Sequence, residues 1–269
     1  MERLDKILAN AKLGSRKEVR QLIKSGRIQV DGAVIQDPAA SFDPETSRFL
    51  LDQAEVDTRK FIYLMLNKPD GYLSATEDAR DPVVLDLIAS QHRAFAPFPV
   101  GRLDKDTTGL LLLTNDGPLN HQLISPRWHI DKIYVARLRD PALDSYHRRF
   151  EQGVVIDDGY RCLPARMEVL AEDARLVRLT IQEGKFHQVK RMFEALDNQV
   201  QELKRVAFGP LTLPEDLPPG QYRELTAEEL SQLMAATRKK GQPMSFGATE
   251  AGDTVYDEEN EPFGRSITE

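Results

Sequence analysis

Cysteine is almost missing from this sequence, because Cys162 is the only one among 269 residues. A single cysteine excludes an intramolecular disulfide framework and a zinc site built from a cysteine cluster. Long apolar runs are missing too, and none approaches the length that crosses a membrane. The N-terminus carries Glu2, Arg3, Asp5 and Lys6 and lacks the apolar core of a secretory signal. We therefore expect a cytoplasmic protein.

A net positive charge, which a nucleic-acid-binding protein often has, is also missing, since the formal net charge is −7. Residues 241–269 hold seven acidic residues and one arginine, so the rest of the chain has a net charge of −1. Residues 1–30 hold eight basic and three acidic residues. The chain thus has a basic head and an acidic tail. The tail lacks hydrophobic periodicity and is predicted to be disordered, with either a solvating or a partner-binding role.

The basic head has the pattern of a small independent module. Its first eleven residues have helical apolar spacing, and Ser15 with Glu18 fits a capping box that begins a second helix. Residues 28–35 then predict a hairpin around the two-residue turn Asp31-Gly32. Two short helices and a hairpin form a compact unit, which we place at residues 1–45.

The composition changes after this head. Residues 46–60 are polar and mixed, which predicts a linker to a second domain at residues 61–236. Short apolar runs between turn residues predict strands there, and periodic segments with caps predict helices. The predicted strands cover residues 61–66, 110–113, 133–138, 154–156, 165–170 and 176–181. Four helices are predicted. The first ends at about residue 124, the second begins at residue 140 or 141, the third covers residues 186–196, and the fourth begins after Thr226.

The most informative segment is residues 101–109, GRLDKDTTG, which run directly into four leucines. Four leucines between turn residues predict a fully buried strand. Asp104 is then held at the edge of a rigid sheet between Arg102 and Lys105, as a carboxylate used for chemistry would be. Considered alone, Asp104 equally fits a turn or capping aspartate.

Five ordered motifs resemble those of the pseudouridine synthases, in particular the RsuA-type branch. They are residues 67–71, 101–111, 132–135, 183–193 and the closing stretch 203–226. The head resembles an S4 domain, a small RNA-binding module, over residues 1–45. The resemblance implies an α+β protein in which the S4 domain precedes a synthase domain with a central mixed, mainly antiparallel sheet flanked by helices.

The resemblance also implies the reaction, which is the isomerisation of a uridine in ribosomal RNA to pseudouridine. The N1–C1′ bond breaks, the uracil turns, and C5 bonds to C1′. Because this exchange is redox-neutral and uses no external nucleophile, we expect neither a metal nor an organic cofactor. The expected substrate is small-subunit 16S rRNA, at uridine 516, in an assembly intermediate, with a large-subunit (23S) uridine as the alternative. We expect the protein to act as a monomer.

Three residues have catalytic roles in this comparison. The resemblance makes Asp104 the nucleophile, and Tyr134 stacks on the turned base or transfers the C5 proton. Lys190 pairs with Asp104 and keeps it ionised. Lysine departs from the arginine that many pseudouridine synthases have here, so a point charge replaces a bidentate fork. Without the resemblance, Tyr134 fits a half-buried core residue and Lys190 a solvated helix face.

Other residues are candidates for contacts with RNA. Arg102 is the candidate to fill the stack that an extruded uridine leaves, Thr107 shapes the loop beside the substrate, and His187 is interpreted as positioning its motif. The clustered bases of the head predict a phosphate-binding surface. The remaining candidates are Lys68, Gln188 and Arg191 in the synthase motifs and Arg3, Lys6, Ser15, Arg16, Lys17, Arg20 and Arg27 in the head.

Three other interpretations compete with this one. The bases of the head fit a solvated amphipathic helix pair without a ligand. The whole chain fits a non-catalytic RNA-binding factor for ribosome assembly, although the presence of Asp104, Tyr134 and Lys190 argues against it. A glycosidase would need a second placed carboxylate, and Asp106 is very close to Asp104 in sequence.

Overall fold

The computed structural model describes residues 1–44, 46–170 and 172–238, so the predicted disorder of residues 241–269 lies outside the described residues. The chain divides into two compact units. One comprises residues 1–62 and 90–96, and the other comprises residues 63–89 and the described residues from 97 onward. Within the described ranges, every helix is too short or too polar to cross a membrane.

The N-terminal unit is an α+β module of short elements. Its first elements are β1 (Glu2–Arg3), α1 (Leu4–Asn10), α2 (Arg16–Lys24), β2 (Ile28–Val30), β3 (Ala33–Val34) and β4 (Ser41–Phe42). They are followed by β5 (Phe49–Leu51), β6 (Ala54–Glu55) and α3 (Ser90–Arg93). Four strands form an antiparallel sheet in the order β3-β2-β5-β6, and β1 pairs with β4. The two predicted helices and the hairpin are thus confirmed.

Local chemistry explains why these elements form. The Ser15 side chain accepts from the Glu18 amide at 3.4 Å, and the Glu18 carboxylate accepts from the Ser15 amide at 2.7 Å, as the capping box predicts. In the hairpin, Asp31 and Gly32 have φ angles of 50° and 84°, which a two-residue type I′ turn requires. Apolar residues of both helices pack on β2 and on Phe49.

The predicted linker is wrong, because much of it belongs to this unit. Residues 46–60 contain β5 and β6, and β5 pairs with β2 in the middle of the sheet. Phe49 is only 1% exposed and completes the core. The strand β5 has three residues between polar neighbours, so its composition resembles a linker, and only burial of Phe49 against the helices reveals its role.

A buried carboxylate adds an electrostatic constraint to the same unit. Asp5 is 2% exposed and accepts hydrogen bonds from Arg3 at 3.1 and 3.2 Å and from Arg20 at 2.9 Å. The hydrogen bonds from Arg3 lower the pKa of Asp5 to about 2, although burial opposes this. Arg20 therefore fastens α2 to the start of α1, and Arg3 balances the same carboxylate from the residue that precedes α1.

The second unit is built on one large sheet. Its first elements are β7 (Tyr63–Lys68), β8 (Phe98–Pro99), β9 (Thr107–Thr114), α4 (Gly117–Ile124), β10 (Lys132–Leu138) and α5 (Ser145–Glu151). The next are β11 (Arg166–Val169), β12 (Leu176–Ile181), α6 (Gln188–Glu194) and β13 (Val200–Phe208). The last are β14 (Leu211–Thr212), β15 (Tyr222–Glu224) and α7 (Ala227–Arg238). Short 3₁₀ turns at Val84–Leu87 and Pro126–Trp128 lie between them.

The strand order is β11-β12-β10-β13-β9-β7-β15, with β14 on β13 and β8 on β9. Only the β13–β9 pair is parallel, so the sheet is mixed and mainly antiparallel, as predicted. The four leucines of β9 are at most 3% exposed. A strand with apolar side chains on both faces must be covered on both faces. Leu110 and Leu112 accordingly share a core cluster with residues of α4 and α7, while β13 and β7 flank β9 within the sheet.

Two predicted elements of this unit differ from the structure. The helix predicted from residue 140 or 141 begins at Ser145, because the Asn198 amide side chain binds the Asp140 backbone and Ala142 donates to Ala174. Residues 154–156, predicted as a strand, form one isolated bridge between Val155 and Arg161. Tertiary partners satisfy these backbone groups, and such partners leave no periodic pattern in the sequence.

Gly109 marks the place where β9 and β13 meet. Its φ angle is +98°, and a Cβ atom there would lie 2.2 Å from the carbonyl oxygen of Arg205. Gly109 and Arg205 are partners in the parallel pair. A glycine is thus required both by the backbone conformation and by the close approach of the two strands.

We predict that Gly109→Ala lowers the free energy of unfolding by roughly 3 kcal/mol or more, because it adds both backbone strain and a backbone clash. Urea denaturation measures the loss. Gly117→Ala is the matched control, since a Cβ atom on Gly117 would meet no other atom within 4 Å and its φ angle is not positive. Equal stability of the two variants would contradict this explanation.

Candidate active site

The loop that carries Asp104 is fixed on both sides by side chains. Before it, the Ser74 hydroxyl donates to the Leu103 carbonyl at 2.8 Å and accepts from the Leu103 amide at 3.0 Å. After it, the Lys68 ammonium donates to the carbonyls of Lys105 at 2.9 Å and Thr107 at 2.8 Å. The loop conformation is therefore held by buried hydrogen bonds from outside the loop, together with its own turn bond from the Thr107 amide to the Asp104 carbonyl at 3.1 Å.

Lys68 itself is completely buried at the end of β7. A third hydrogen bond, to the Pro69 carbonyl at 3.1 Å, satisfies all three donors of its ammonium group. Three carbonyl dipoles do not replace a full negative charge, and burial lowers the pKa of Lys68 to about 8. The predicted contact between Lys68 and RNA is wrong, because a buried side chain cannot reach a phosphate.

Asp104 lies in an open cleft at one end of the sheet. Its side chain is 23% exposed, so it is partly shielded yet open to a ligand. The loop, β9, β10, β12, β13 and the start of α6 all contribute to the cleft. Its lining residues are Arg102, Leu103, Asp104, Thr107, Tyr134, Ile181, Gly184, Lys185, His187, Gln188, Val189 and Leu203.

The floor of the cleft combines apolar and polar groups. Tyr134 on β10 is 7% exposed, and Leu203 on β13 is 5% exposed. Thr107 is 1% exposed, and its hydroxyl finds no hydrogen-bond partner in the described part of the chain. A buried hydroxyl without a partner is costly. This hydroxyl is therefore a candidate to bind a polar edge of a ligand.

Lys190 lies beside two carboxylates of the loop. Its ammonium is 3.8 Å from an Asp104 oxygen but 2.6 and 2.7 Å from the Asp106 oxygens. Burial alone would raise the pKa of Asp106, but Lys190 outweighs burial and lowers it. The predicted pairing of Lys190 with Asp104 is present at 3.8 Å, and Asp106 is a nearer second partner that the sequence motifs did not indicate.

His187 is closer to Asp104 than the sequence suggested. Its Nε2 atom lies 3.6 Å from an Asp104 oxygen. The residue has a φ angle of 49° just before α6, a left-handed conformation that costs energy in a non-glycine residue. The spacing of residues in sequence carries no sign of this contact, which depends on the approach of α6 to the loop.

Two residues of the third motif are engaged within the protein. Gln188 is 4% exposed and donates to Glu183 at 2.6 Å, although it still lines the cleft. Arg191 is held by Asp157 and Asp158 at 2.5 and 2.7 Å. The prediction that Arg191 binds RNA is corrected to an internal ion-pair role, because its charge is already balanced.

The basic head has fewer free charges than its composition suggests. Arg3 and Arg20 bind Asp5, Lys6 pairs with Glu2 at 2.9 Å, and Arg27 pairs with Asp52. Four exposed bases have no ion-pair partner among the described residues. They are Lys12, Arg16, Lys17 and Lys24. The sequence pattern indicated only Arg16 and Lys17 of these four.

No group of three or more histidine, cysteine, aspartate or glutamate side chains arranged to hold a metal ion occurs in residues 1–44, 46–170 and 172–238.

Comparison with known proteins agrees with the two-unit organisation. A model of the RNA pseudouridylate synthase family matches residues 62–195, and an S4 domain model matches residues 2–45. An uncharacterized RNA pseudouridine synthase of Bacillus subtilis, YtzG, is 48% identical over 233 residues, which are 86% of this chain and 98% of that protein.

Two further relatives extend this comparison. The ribosomal small subunit pseudouridine synthase A of Escherichia coli is 40% identical over 233 residues, which are 86% of this chain and 100% of that protein. The crystal structure of a pseudouridylate synthase is 33% identical with a TM-score of 0.61, and the match covers 87% of this chain and 100% of that one.

The buried Lys68 gives a prediction about pH. Its pKa is about 8 in the folded chain against an ordinary 10.5, so between these pH values the unfolded chain binds more protons. The cost of burying the charge is full below pH 8 and disappears as the pH rises. We expect wild-type stability to rise relative to Lys68→Met by up to about 3 kcal/mol from pH 8 to 10.5, as urea denaturation can measure.

Lys105→Met is the control for this measurement, because the exposed Lys105 ammonium only pairs with Asp81 at 2.7 Å. The stability difference between wild type and this control should not change over the same pH range. A Lys68→Met difference that is equally flat would show that the ammonium is not buried as described.

Proposed function

Because the chain belongs to the RNA pseudouridine synthase family and carries an S4 RNA-binding domain, we propose that this enzyme modifies a uridine of small-subunit ribosomal RNA with Asp104 as the nucleophile. The observation that carries the proposal is the convergence of Asp104, Tyr134 and Thr107 on one cleft, with the Lys190 ammonium 3.8 Å from Asp104. The small-subunit target is supported by relatives such as the 40% identical Escherichia coli protein named for that subunit.

The rigid loop suits a nucleophile. The hydrogen bonds from Ser74 and Lys68 hold the backbone on both sides of Asp104, so its carboxylate needs little reorganisation to meet a bound uridine. The carboxylate forms a bond to the ribose or to the uracil ring, the N1–C1′ bond breaks, and the uracil turns. When C5 bonds to C1′, the bond to Asp104 breaks again and the carboxylate is regenerated. C5 then loses its proton and N1 takes up a proton, which completes the isomerisation.

The positively charged Lys190 ammonium lies beside the Asp104 carboxylate during these steps. Lys190 lies 3.8 Å from Asp104 and is itself held by Asp106. This arrangement fixes an ammonium beside the group whose charge disappears and returns during the reaction. Asp106 is thereby a positioning residue that acts through Lys190.

The floor of the cleft fits a pyrimidine. Tyr134 presents an almost buried ring that can stack on the turned uracil, and its hydroxyl is the group assigned to the C5 proton transfer. The free Thr107 hydroxyl provides a hydrogen bond for a polar edge of the base. These two residues give the cleft both the apolar surface and the polar contact that a uracil needs.

The target must leave its helix before it reaches this floor. Arg102 is exposed and lies at the cleft, where its planar guanidinium can occupy the position of the extruded base. The S4 domain supplies affinity for the surrounding phosphates. We further propose that the enzyme acts as a cytoplasmic monomer on a small-subunit assembly intermediate.

The decisive experiment maps pseudouridine in small- and large-subunit RNA from cells with and without the gene. We expect loss of one pseudouridine in small-subunit RNA, with return of the modification from the wild-type gene but not from Asp104→Asn. Removing the nucleophile should slow single-turnover formation of pseudouridine by at least about 1,000-fold. A loss confined to large-subunit RNA would overturn the target, and no loss in either RNA would overturn the enzymatic proposal.

Asp106→Asn is the matched control for this variant. It removes the nearer carboxylate of Lys190 and leaves Asp104 in place, so we expect a change within about tenfold. A loss of activity as large as that of Asp104→Asn would mean that position 104 is not specifically required.

The free bases of the head give a second prediction. Replacing Lys12, Lys17 and Lys24 together by glutamine should weaken binding to a small-subunit RNA transcript. The slope of log K against log salt should fall by up to about 0.9 for each lost phosphate contact. Lys6→Gln is the control, since Lys6 already pairs with Glu2. An unchanged slope in the triple variant would exclude these three lysines from the RNA-binding surface.

A further inference from the structure

Phe186 is the only exposed phenylalanine, tyrosine or tryptophan in the described part of the chain. Its side chain is 75% exposed. Single exposed apolar residues are common and usually need no explanation. Phe186 differs from the others in its position, because its neighbours Lys185 and His187 both line the cleft that holds Asp104.

The ring of Phe186 is organised rather than loose. It stacks on the imidazole of His187, with the ring centroids 3.8 Å apart and the planes 17° from parallel. The imidazole in turn lies 3.6 Å from Asp104. One ring face is thus fixed by His187, and the large exposed area leaves the remaining surface available to a ligand.

The backbone at this point is strained. The φ angle of His187 is 49°, a left-handed conformation without the benefit of glycine. Strained residues concentrate at functional sites, where the surrounding structure maintains them. This conformation joins the stacked pair to the first turn of α6 and so places an aromatic surface at the mouth of the cleft.

The charges around this surface indicate the kind of ligand. Lys185 and Arg102 both line the cleft, and the Lys185 ammonium lies 4.5 Å from the centre of the Tyr160 ring. Flat aromatic surface beside cationic groups is the combination that binds unpaired nucleotides, because each base has a face to stack and each phosphate a negative charge.

We infer that Phe186 binds an unpaired nucleobase adjacent to the target uridine, by stacking on the ring surface left open by His187. The inference rests on the proposed function for the identity of the strand in the cleft. The stacked base, Phe186 and His187 then form a column that ends at Asp104. Phe186 holds the strand on one side of the flipped nucleotide and does not take part in the chemistry.

The test uses the full chain and a short single-stranded RNA that contains one uridine, with the fluorescent base 2-aminopurine placed 5′ or 3′ to it in two separate probes. Stacking on Phe186 should quench the fluorescence of at least one probe on binding. Phe186→Ala should abolish this quenching and weaken binding about tenfold, as expected for the loss of one base–aromatic stack. Phe186→Tyr should restore both.

Val169→Ala is the control, since Val169 is an exposed apolar residue on the edge strand β11. Val169 pairs with Val177 of β12. Val177 is four residues from the cleft residue Ile181 on the same strand, so Val169 lies about 13 Å away from the cleft along the strand direction. This variant should bind and quench like the wild type. Equal affinity and equal quenching for Phe186→Ala and wild type would overturn the inference.

The fluorescence test does not depend on the formation of pseudouridine. Asp104→Asn should bind the probe and quench it normally, because the carboxylate is not part of the stack. Loss of quenching in Phe186→Ala together with normal pseudouridine formation by Asp104→Asn would retain the stacking site and reject the proposed nucleophile. The opposite pair of results would reject the stacking site alone.

Discussion

The hydrogen bonds between the Lys68 ammonium and three backbone carbonyls hold the loop that carries Asp104 in its place. Lys68 is the last residue of β7, and its side chain is buried. Its ammonium donates to the carbonyls of Pro69, Lys105 and Thr107. Burying an ammonium is unfavourable, and far more so when any of its donors is left without an acceptor. The loop therefore has to follow a path that brings these carbonyls together, and this path presents Asp104 to the cleft. Ser74 fixes the other side of the loop in the same way.

The electrostatics of the molecule follow a similar principle, in which most charges near functional regions are already paired. Arg191 is balanced by two aspartates, and Arg3 and Arg20 by Asp5. Internal pairing leaves Lys12, Arg16, Lys17 and Lys24 as the accessible bases of the head. A count of basic residues overestimates a binding surface for this reason, and the geometry of the pairs identifies the charges that remain for RNA.

Much of the architecture was predictable from local patterns. The capping box at Ser15, the Asp31-Gly32 turn and the leucines of β9 each result from interactions within a few residues, and the structure contains all three. Asp104, Tyr134 and Lys190 were selected through their motifs, and the structure brings them to one cleft or its edge. Errors arose where partners are distant in sequence, as in the strand around Phe49 and the late start of α5.

The sequence by itself determined the two helices and the hairpin of the head, the buried leucine strand and the aspartate that precedes it, because these depend on periodicity, caps and turn residues. The S4 and synthase organisation and the mainly antiparallel sheet were implied by the resemblance of its motifs to known families. Only the tertiary structure decided that Lys68 is buried, that Lys190 lies nearer to Asp106 than to Asp104, and that His187 contacts Asp104. These properties depend on which atoms meet when α6 and the loop pack at the end of the sheet. The spacing of residues along the chain does not specify the distances between those atoms.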